Sequence, residues 1–555
     1  MKILQSEIET IDAIRPNALM VFGDNWQHIL ELESLNYEVF ARSLVECVTE
    51  QNCGNRIVIR GISPVTRLIC ERLVELPYDL AIDPLGRKTN EQEMYRVPLR
   101  CDASFSDIYI NVFPQDKSFI NQEHKPVLDL RNLDVQRFYT VFLENHRQKL
   151  AETLNGYIAS DQNLIIFVSK NAYYNQLRMS TALRRKGFRT VAVIFNPDLE
   201  GHKSGYFDDV ITTDLLSFIL WLREAKNVVL HTQGWLFRYH IPVLIDAFLP
   251  PHCTQVVELM DLNSFLLPEN QMEELLPYMQ ATWGEHVEQD QRLQVKCEQY
   301  IANNCDGIIY QGSDRHIDIF GARGSDREAR WLQFLSYPLA DFFSNRQPHV
   351  EQSSSLRPRL VFAGGIPPIN SKHPAEIFGD AQMVDTVGTI LKQGLMLHVY
   401  NNPLRIPSVD YPHQYAQHIE FERRYSEYRF FRGEMPWKIA NILAEYDLGL
   451  IAYDYSDELL VGPEHFKTLI PAKLFMYLEA GLPILVSRRA EATAEFVEKN
   501  GCGIGITDSE LHSLPEFLRT IDLSALRRGA LEARQRLSID QEVHRLINFY
   551  ESCSG

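Results

Sequence analysis

The sequence predicts an α/β protein made of doubly wound parallel sheets, in more than one domain. Short β-type runs alternate with helix-period segments along nearly the whole chain, which is the pattern of strands joined by helical crossovers. The runs are apolar almost throughout rather than alternating, as strands buried on both faces are. At 555 residues the chain also exceeds what one core sustains and predicts two to four domains.

Composition narrows the class. Hydrophobic residues make up 45% and charged residues 23%, ordinary for a globular chain, and the net charge of -18 disfavours nucleic acid and anionic surfaces as partners. The longest apolar run, Leu215 to Leu222, is far short of the roughly 20 residues that span a bilayer, so no integral membrane segment is expected and only peripheral association stays open. The N-terminus turns acidic at Glu7 and Glu9 before an apolar stretch develops, unlike a secretory signal. Nine cysteines without a CxxC pair suit free thiols in a reducing, cytoplasmic setting and no metal site.

The first block, 1–150, is read as an additional small α/β domain with strand signals at Ala18–Phe22, Arg56–Arg60 and Leu80–Asp83. A helical pattern at Val65–Val74 completes a βαβ unit. Gly61 stands where a dinucleotide loop begins, but Ser63 and Thr66 replace its later glycines and hinder close approach of a pyrophosphate. A structural or partner-binding role fits better. After a helical connector over 135–155, the second block runs over 157–345 with strands near 163–168, 190–195, 227–230, 255–259 and 307–310. The polar stretch from Asn345 to Ser355 reads as a linker. A third block over 357–540 has strands near 359–363, 396–400, 448–452, 484–486 and 503–506, and an amphipathic helix over 541–555 is placed to pack back on an earlier domain.

The most informative stretch is Pro471 to Val486. Pro471 suits the first helical position, Gly481 and Pro483 end the helix, and Ile484 to Val486 form a buried strand. Lys473 lies in the first turn, where a cation opposes the helix dipole and fits best as a second contact on an anion.

In order and spacing the third block resembles the C-terminal domain of GT-B glycosyltransferases. The resemblance is carried by Ala363-Gly-Gly365, the strand ending at Tyr400, Phe431-Arg-Gly433, Asp447 to Ala452, Pro471 to Pro483 and Glu495 to Gly505. It implies two Rossmann-like domains, the second block binding an acceptor and the third a nucleotide-sugar. It covers about 157–555 and leaves the first block unexplained. It further implies sugar transfer from a nucleotide-diphosphate sugar to a saccharide or other hydroxyl acceptor, in polysaccharide or glycoconjugate biosynthesis, with no cofactor or metal required. Gly364 and Gly365 would admit the donor to the backbone, Lys473 would neutralise the departing diphosphate, and Tyr400, Glu464 and His465 would lie near the donor. The family's ribose-binding acid falls at Met476 here, with Glu479 three residues on as its candidate replacement. In the acceptor domain His231 and Asp261 are the catalytic candidates, and Ser169, Lys170 and Asn171 the acceptor contacts. Two other readings stay open: an epimerase or hydrolase acting on nucleotide-sugars on the same two-domain fold, or, given Met476 in place of the acid, a binding protein that retains the fold.

Overall fold

The computed structural model describes residues 8, 11, 14–34, 57–60, 80–83, 108–111, 132–159, 163–170, 174–195, 205–324, 326–346, 358–369, 375–403, 415–455 and 462–554. The strands fall into three parallel sheets. The first joins β1 (Ile57–Arg60), β2 (Leu80–Asp83), β3 (Ile108–Asn111) and β4 (Asn132–Asp134) in the order β2-β1-β3-β4. The 61–79 segment, with Gly61, Ser63, Thr66 and the helix expected at Val65–Val74, lies outside the described residues.

The second sheet holds seven strands, β5 (Leu164–Ser169), β6 (Arg189–Ile194), β7 (Asp209–Thr212), β8 (Val229–Gly234), β9 (Thr254–Leu259), β10 (Gly307–Tyr310) and β11 (Trp331–Gln333), ordered β11-β10-β9-β8-β5-β6-β7. The third holds six, β12 (Arg359–Gly364), β13 (Met396–Asn401), β14 (Tyr428–Arg432), β15 (Leu448–Ile451), β16 (Ile484–Ser487) and β17 (Gly503–Ile506), ordered β14-β13-β12-β15-β16-β17. Both reverse direction beside their first strand, at β5/β8 and at β12/β15. In such sheets ligands bind outside the carboxyl ends of the strands at that reversal. Every position of β5 and β9 is buried, as strands covered on both faces must be. The fold is thus two Rossmann-like doubly wound domains preceded by a further parallel α/β sheet.

Ala18–Phe22 is helical rather than a strand. Pro16 opens the helix Pro16–Phe22, Ala18 and Phe22 turn inward, and Met20 stays 79% exposed. An apolar run of five residues fits either period, and the proline decides it. This helix and the next, Trp26–Ser34, pack into the core of the second sheet through Ala18, Phe22 and Leu30. At the other end of the chain the helix Ile539–Ser554 also returns to the second sheet, and its Tyr550 hydroxyl lies 2.6 Å from His231 Nδ1. A single apolar cluster runs from Phe167 and Leu177 through Val361 and Leu474 to Leu546, so the second and third sheets share one core.

The two domains also meet through their backbones. Gly462 N–H donates to Leu266 O at 3.1 Å, and Ser313 N–H to Thr468 O at 3.0 Å. A Cβ at position 462 would stand 2.0 Å from Phe265 O, so only glycine allows this approach. Among the described residues no helix is long and apolar enough to cross a membrane, and Cys253, Cys297, Cys305, Cys502 and Cys553 are free thiols.

Candidate active site

The helix Ala472–Glu479 starts one residue later than the sequence suggests, with Pro471 as its extended N-cap (φ -75°, ψ 147°). Gly481, at φ +66°, turns the chain into β16. Leu474, Phe475, Tyr477 and Leu478 are buried, which leaves Lys473 and Met476 on the half-exposed stripe. The Lys473 ammonium sits over two rings, 4.3 Å from the Phe362 centroid and 4.4 Å from that of Tyr453, and donates to the Tyr453 hydroxyl. A Cβ at Gly364 would lie 3.0 Å from Lys473 Nζ. A side chain at the end of β12 would thus crowd the lysine, whose ammonium stands at the reversal point of the third sheet.

From there a cleft of about 370 Å³ opens between the two domains. It brings together Asp261, Gly365 and His465 from the sequence candidates, with Trp235, Asp380 and Tyr453 beside them. Asp261 follows β9 by two residues, and its Oδ2 accepts from Trp235 Nε1 at 2.8 Å. Burial holds the His465 imidazole below its ordinary value, and the nearby Asp261 charge works against that. Burial likewise pushes the Asp380 carboxyl up to about 7, with Asp454 adding to the rise and Lys473 opposing it. Asp454 is itself raised to about 6 by burial, although its oxygens accept from the N–H groups of Asp385 and Thr386. Asp380 and Tyr453 are absent from the sequence reading. Tyr453 had a usable signal, since it follows β15 at the reversal point. Asp380 had none, because one acid in the helix Ala375–Gln382 looks like any solvated position. A larger hollow of about 600 Å³ on the other side of Tyr453 contains none of the sequence candidates.

Other candidates fall elsewhere. His231 is fully buried, not at a strand end. β8 extends to Gly234, so position 231 is mid-strand and the ring stacks on Phe167 at 4.9 Å. Glu479 does not face the cleft. It is sealed in a bidentate pair with Arg178 of the domain built on the second sheet (2.9 and 2.7 Å) and accepts from Leu339 N–H at 3.0 Å. Burial pushes its carboxyl up, and Arg178 pulls it back. Tyr400 stacks on Phe431 at 4.9 Å and shares a 2.9 Å hydroxyl contact with Tyr446, away from the residues that line the cleft. Glu464 pairs with Arg315 at 2.9 Å across the domain boundary. Ser169 turns inward and donates to Gln176 Oε1 at 3.2 Å, Lys170 lies 3.9 Å from Glu33, and Asn171 is outside the described residues.

Comparison with known proteins gives one family-model match, to the glucosyltransferase 3-like C-terminal domain, over residues 408–535. No curated protein matches the sequence. Among solved structures, TarM aligns at 8% identity over 70% of this chain and 99% of its own, with a TM-score of 0.45. The S. aureus MnaA–UDP co-structure aligns at 10% identity over 70% and 95%, with a TM-score of 0.41. The Methanocaldococcus jannaschii UDP-GlcNAc 2-epimerase, in complex with UDP-GlcNAc and UDP, aligns at 8% over 70% and 99%, with a TM-score of 0.37. Likenesses this distant carry no argument, so the architecture rests on the strand orders found in this chain. Two Rossmann-like sheets thus face each other across a cleft, and the third sheet's later half, which carries Lys473, is similar to a glucosyltransferase 3-like C-terminal domain.

Proposed function

We propose that the chain transfers a sugar from a nucleotide-diphosphate sugar to a saccharide or other hydroxyl acceptor in the interdomain cleft, without a metal. The observation that carries this is the placement of Lys473. Its ammonium stands at the reversal point of the third sheet, in the first turn of a helix whose N–H groups face the same way, held between Phe362 and Tyr453.

In this reading the acceptor oxygen bonds to the anomeric carbon as the bond from that carbon to the diphosphate oxygen breaks. The diphosphate leaves with the electron pair, and Lys473 meets its growing charge. The acceptor proton passes to Asp261, which Trp235 orients from the acceptor side. Gly365 gives the donor close access to backbone, and His465 lies within reach of the sugar. Closure between the domains excludes water that would otherwise hydrolyse the donor.

Incubating the chain with a panel of nucleotide-sugars and following release of the nucleoside diphosphate tests this. One donor is expected to be consumed, and Lys473→Ala to cut its consumption by about 10²- to 10³-fold. Turnover unchanged by that substitution would remove the proposed site.

A further inference from the structure

The reversal point of the second sheet, unlike that of the third, holds an anion supplied by the chain itself. Glu33 stands in the last turn of the helix Trp26–Ser34, and its carboxylate reaches the carboxyl ends of β5 and β8. Its Oε1 lies 3.0 Å from His240 Nε2 and 3.3 Å from an Arg238 guanidinium nitrogen, and its Oε2 lies 3.9 Å from Lys170 Nζ. The imidazole is held in place. Gln294 Oε1 accepts from the backbone N–H of Tyr239 at 2.8 Å and of His240 at 3.3 Å, so its amide nitrogen is turned to His240 Nδ1 at 2.9 Å. Nε2 is then the N–H that points at the carboxylate. His240 is only 6% exposed, whereas the side chains of Lys170 and Arg238 keep 35% and 38% of their surface open. Burial would raise the Glu33 carboxyl, but the His240 hydrogen bond and the neighbouring positive charges, Lys170 and Arg238 among them, hold it at about 2.

The helix does not need this contact to stay in place. Arg15, at the start of the preceding helix Pro16–Phe22, bonds Asp246 at 3.0 Å and Leu249 O at 2.6 Å, which anchors the pair of helices. Ser34 accepts from Leu216 N–H at 3.0 Å, and Leu30 is fully buried. Turning the Glu33 side chain about its own torsions therefore withdraws the carboxylate while the helix remains seated.

We infer that Lys170, Arg238 and His240 form an oxyanion subsite in the acceptor-domain crevice, for a phosphate or carboxylate on the acceptor, and that Glu33 is its displaceable internal occupant. This rests on the acceptor-side reading given above. Two side chains with a pre-set imidazole donor, at a sheet reversal and open to solvent on one side, are arranged as ligand sites in such sheets are. While Glu33 occupies the subsite, an external anion binds with its affinity reduced by the fraction of time the cluster is empty. This gives the N-terminal helices a role beyond packing: they set the threshold at which the acceptor enters.

Calorimetric titration of the full chain with inorganic phosphate, and separately with acetate at the same ionic strength, tests the inference. All chains carry Lys473→Ala, so that phosphate at the donor helix does not contribute, and no turnover is required. The result therefore stands whether or not the donor reading does. Glu33→Gln is expected to bind phosphate or acetate at least tenfold more tightly than the chain with Glu33, and adding Arg238→Ala to remove that gain. A larger gain for phosphate assigns the subsite to phosphate groups, and a larger gain for acetate assigns it to carboxylates. Should Glu33→Gln melt early, Glu33→Asp, which retracts the carboxylate by one methylene, takes its place. No gain for either anion, or a gain that survives Arg238→Ala, overturns the subsite and leaves Glu33 as a tether.

Discussion

Lys473 and Glu479 stand near opposite ends of one eight-residue helix, each with a single charge, and their surroundings differ completely. Lys473 is half-exposed beside a cleft, lodged between two rings. Glu479 is fully buried, clamped bidentately by an arginine that is itself buried and belongs to the other domain. The sequence offered both to the same ligand, Lys473 from the first turn and Glu479 as a stand-in for the acid that falls at Met476, three residues earlier. What separates them is the neighbour each meets: the free end of the third sheet for one, the packed flank of the second sheet's domain for the other. Charge on a helix is read as chemistry at the first place and as attachment between domains at the second.

The largest expected effect breaks the attachment. Arg178→Ala leaves Glu479 buried without its partner and should cost roughly 3–5 kcal/mol of stability, read by denaturant unfolding. Replacing both, as Arg178→Met with Glu479→Leu, should recover most of that loss, because the desolvation of both charges disappears with their attraction. If the double substitution is as unstable as the single one, the pair holds more than its own charges.

Next in size, and at the open end, Lys473→Ala should lower donor consumption by about 10²- to 10³-fold, the usual cost of one preorganised electrostatic contact, with little change in unfolding. A fall in stability as large as that of Arg178→Ala would make Lys473 a structural residue as well, and the contrast would collapse.

Asp380 sharpens the open end through pH. Its folded carboxyl keeps a proton up to about pH 7, whereas an unfolded aspartate releases it near pH ~3.9. Between those values the folded chain binds the extra proton, so this group's contribution to stability falls as pH rises. Asp380→Asn removes that slope. The melting temperature of the variant relative to the parent should therefore climb from pH 5 to pH 7.5, and a flat difference would contradict the shift.

The smallest effect belongs to Glu464, whose pair with Arg315 crosses the domain boundary in partial solvent. A double-mutant cycle on Glu464→Gln and Arg315→Ala should return about 1 kcal/mol or less. A larger coupling would mean that this pair, too, governs attachment.

Much of the architecture was legible because buried parallel strands and their crossovers leave long local signals. β10 and the helix Ala472–Glu479 fall within a residue of their expected limits. The strands β7 and β11 passed unnoticed, since β7 begins within the acidic pair Asp208-Asp209 and β11 has only three residues. Among the candidates, the positions of Lys473 at the reversal point and of Asp261 in the cleft were legible from a helix start and a strand end. His231 misled because β8 runs further than its apolar run, into Thr232 and Gln233. Glu479 misled because its partner lies 301 positions away in the sequence, and no local pattern announces such a neighbour. Arg238, His240 and Glu33 converge for the same reason: two reach the site from a loop and a helix start, and the third from the far end of the chain.

The return of the helix Ile539–Ser554 to the second sheet also sets a clock. Its Tyr550 meets His231 in a sheet whose last strand ends at Gln333, so a growing chain makes roughly 200 further residues before that face is closed. At about 5–20 residues per second, the sheet would wait roughly 10 to 40 seconds with apolar surface uncovered. The helix Ile539–Ser554 thus decides when, during synthesis, the domain built on the second sheet stops being a target for aggregation.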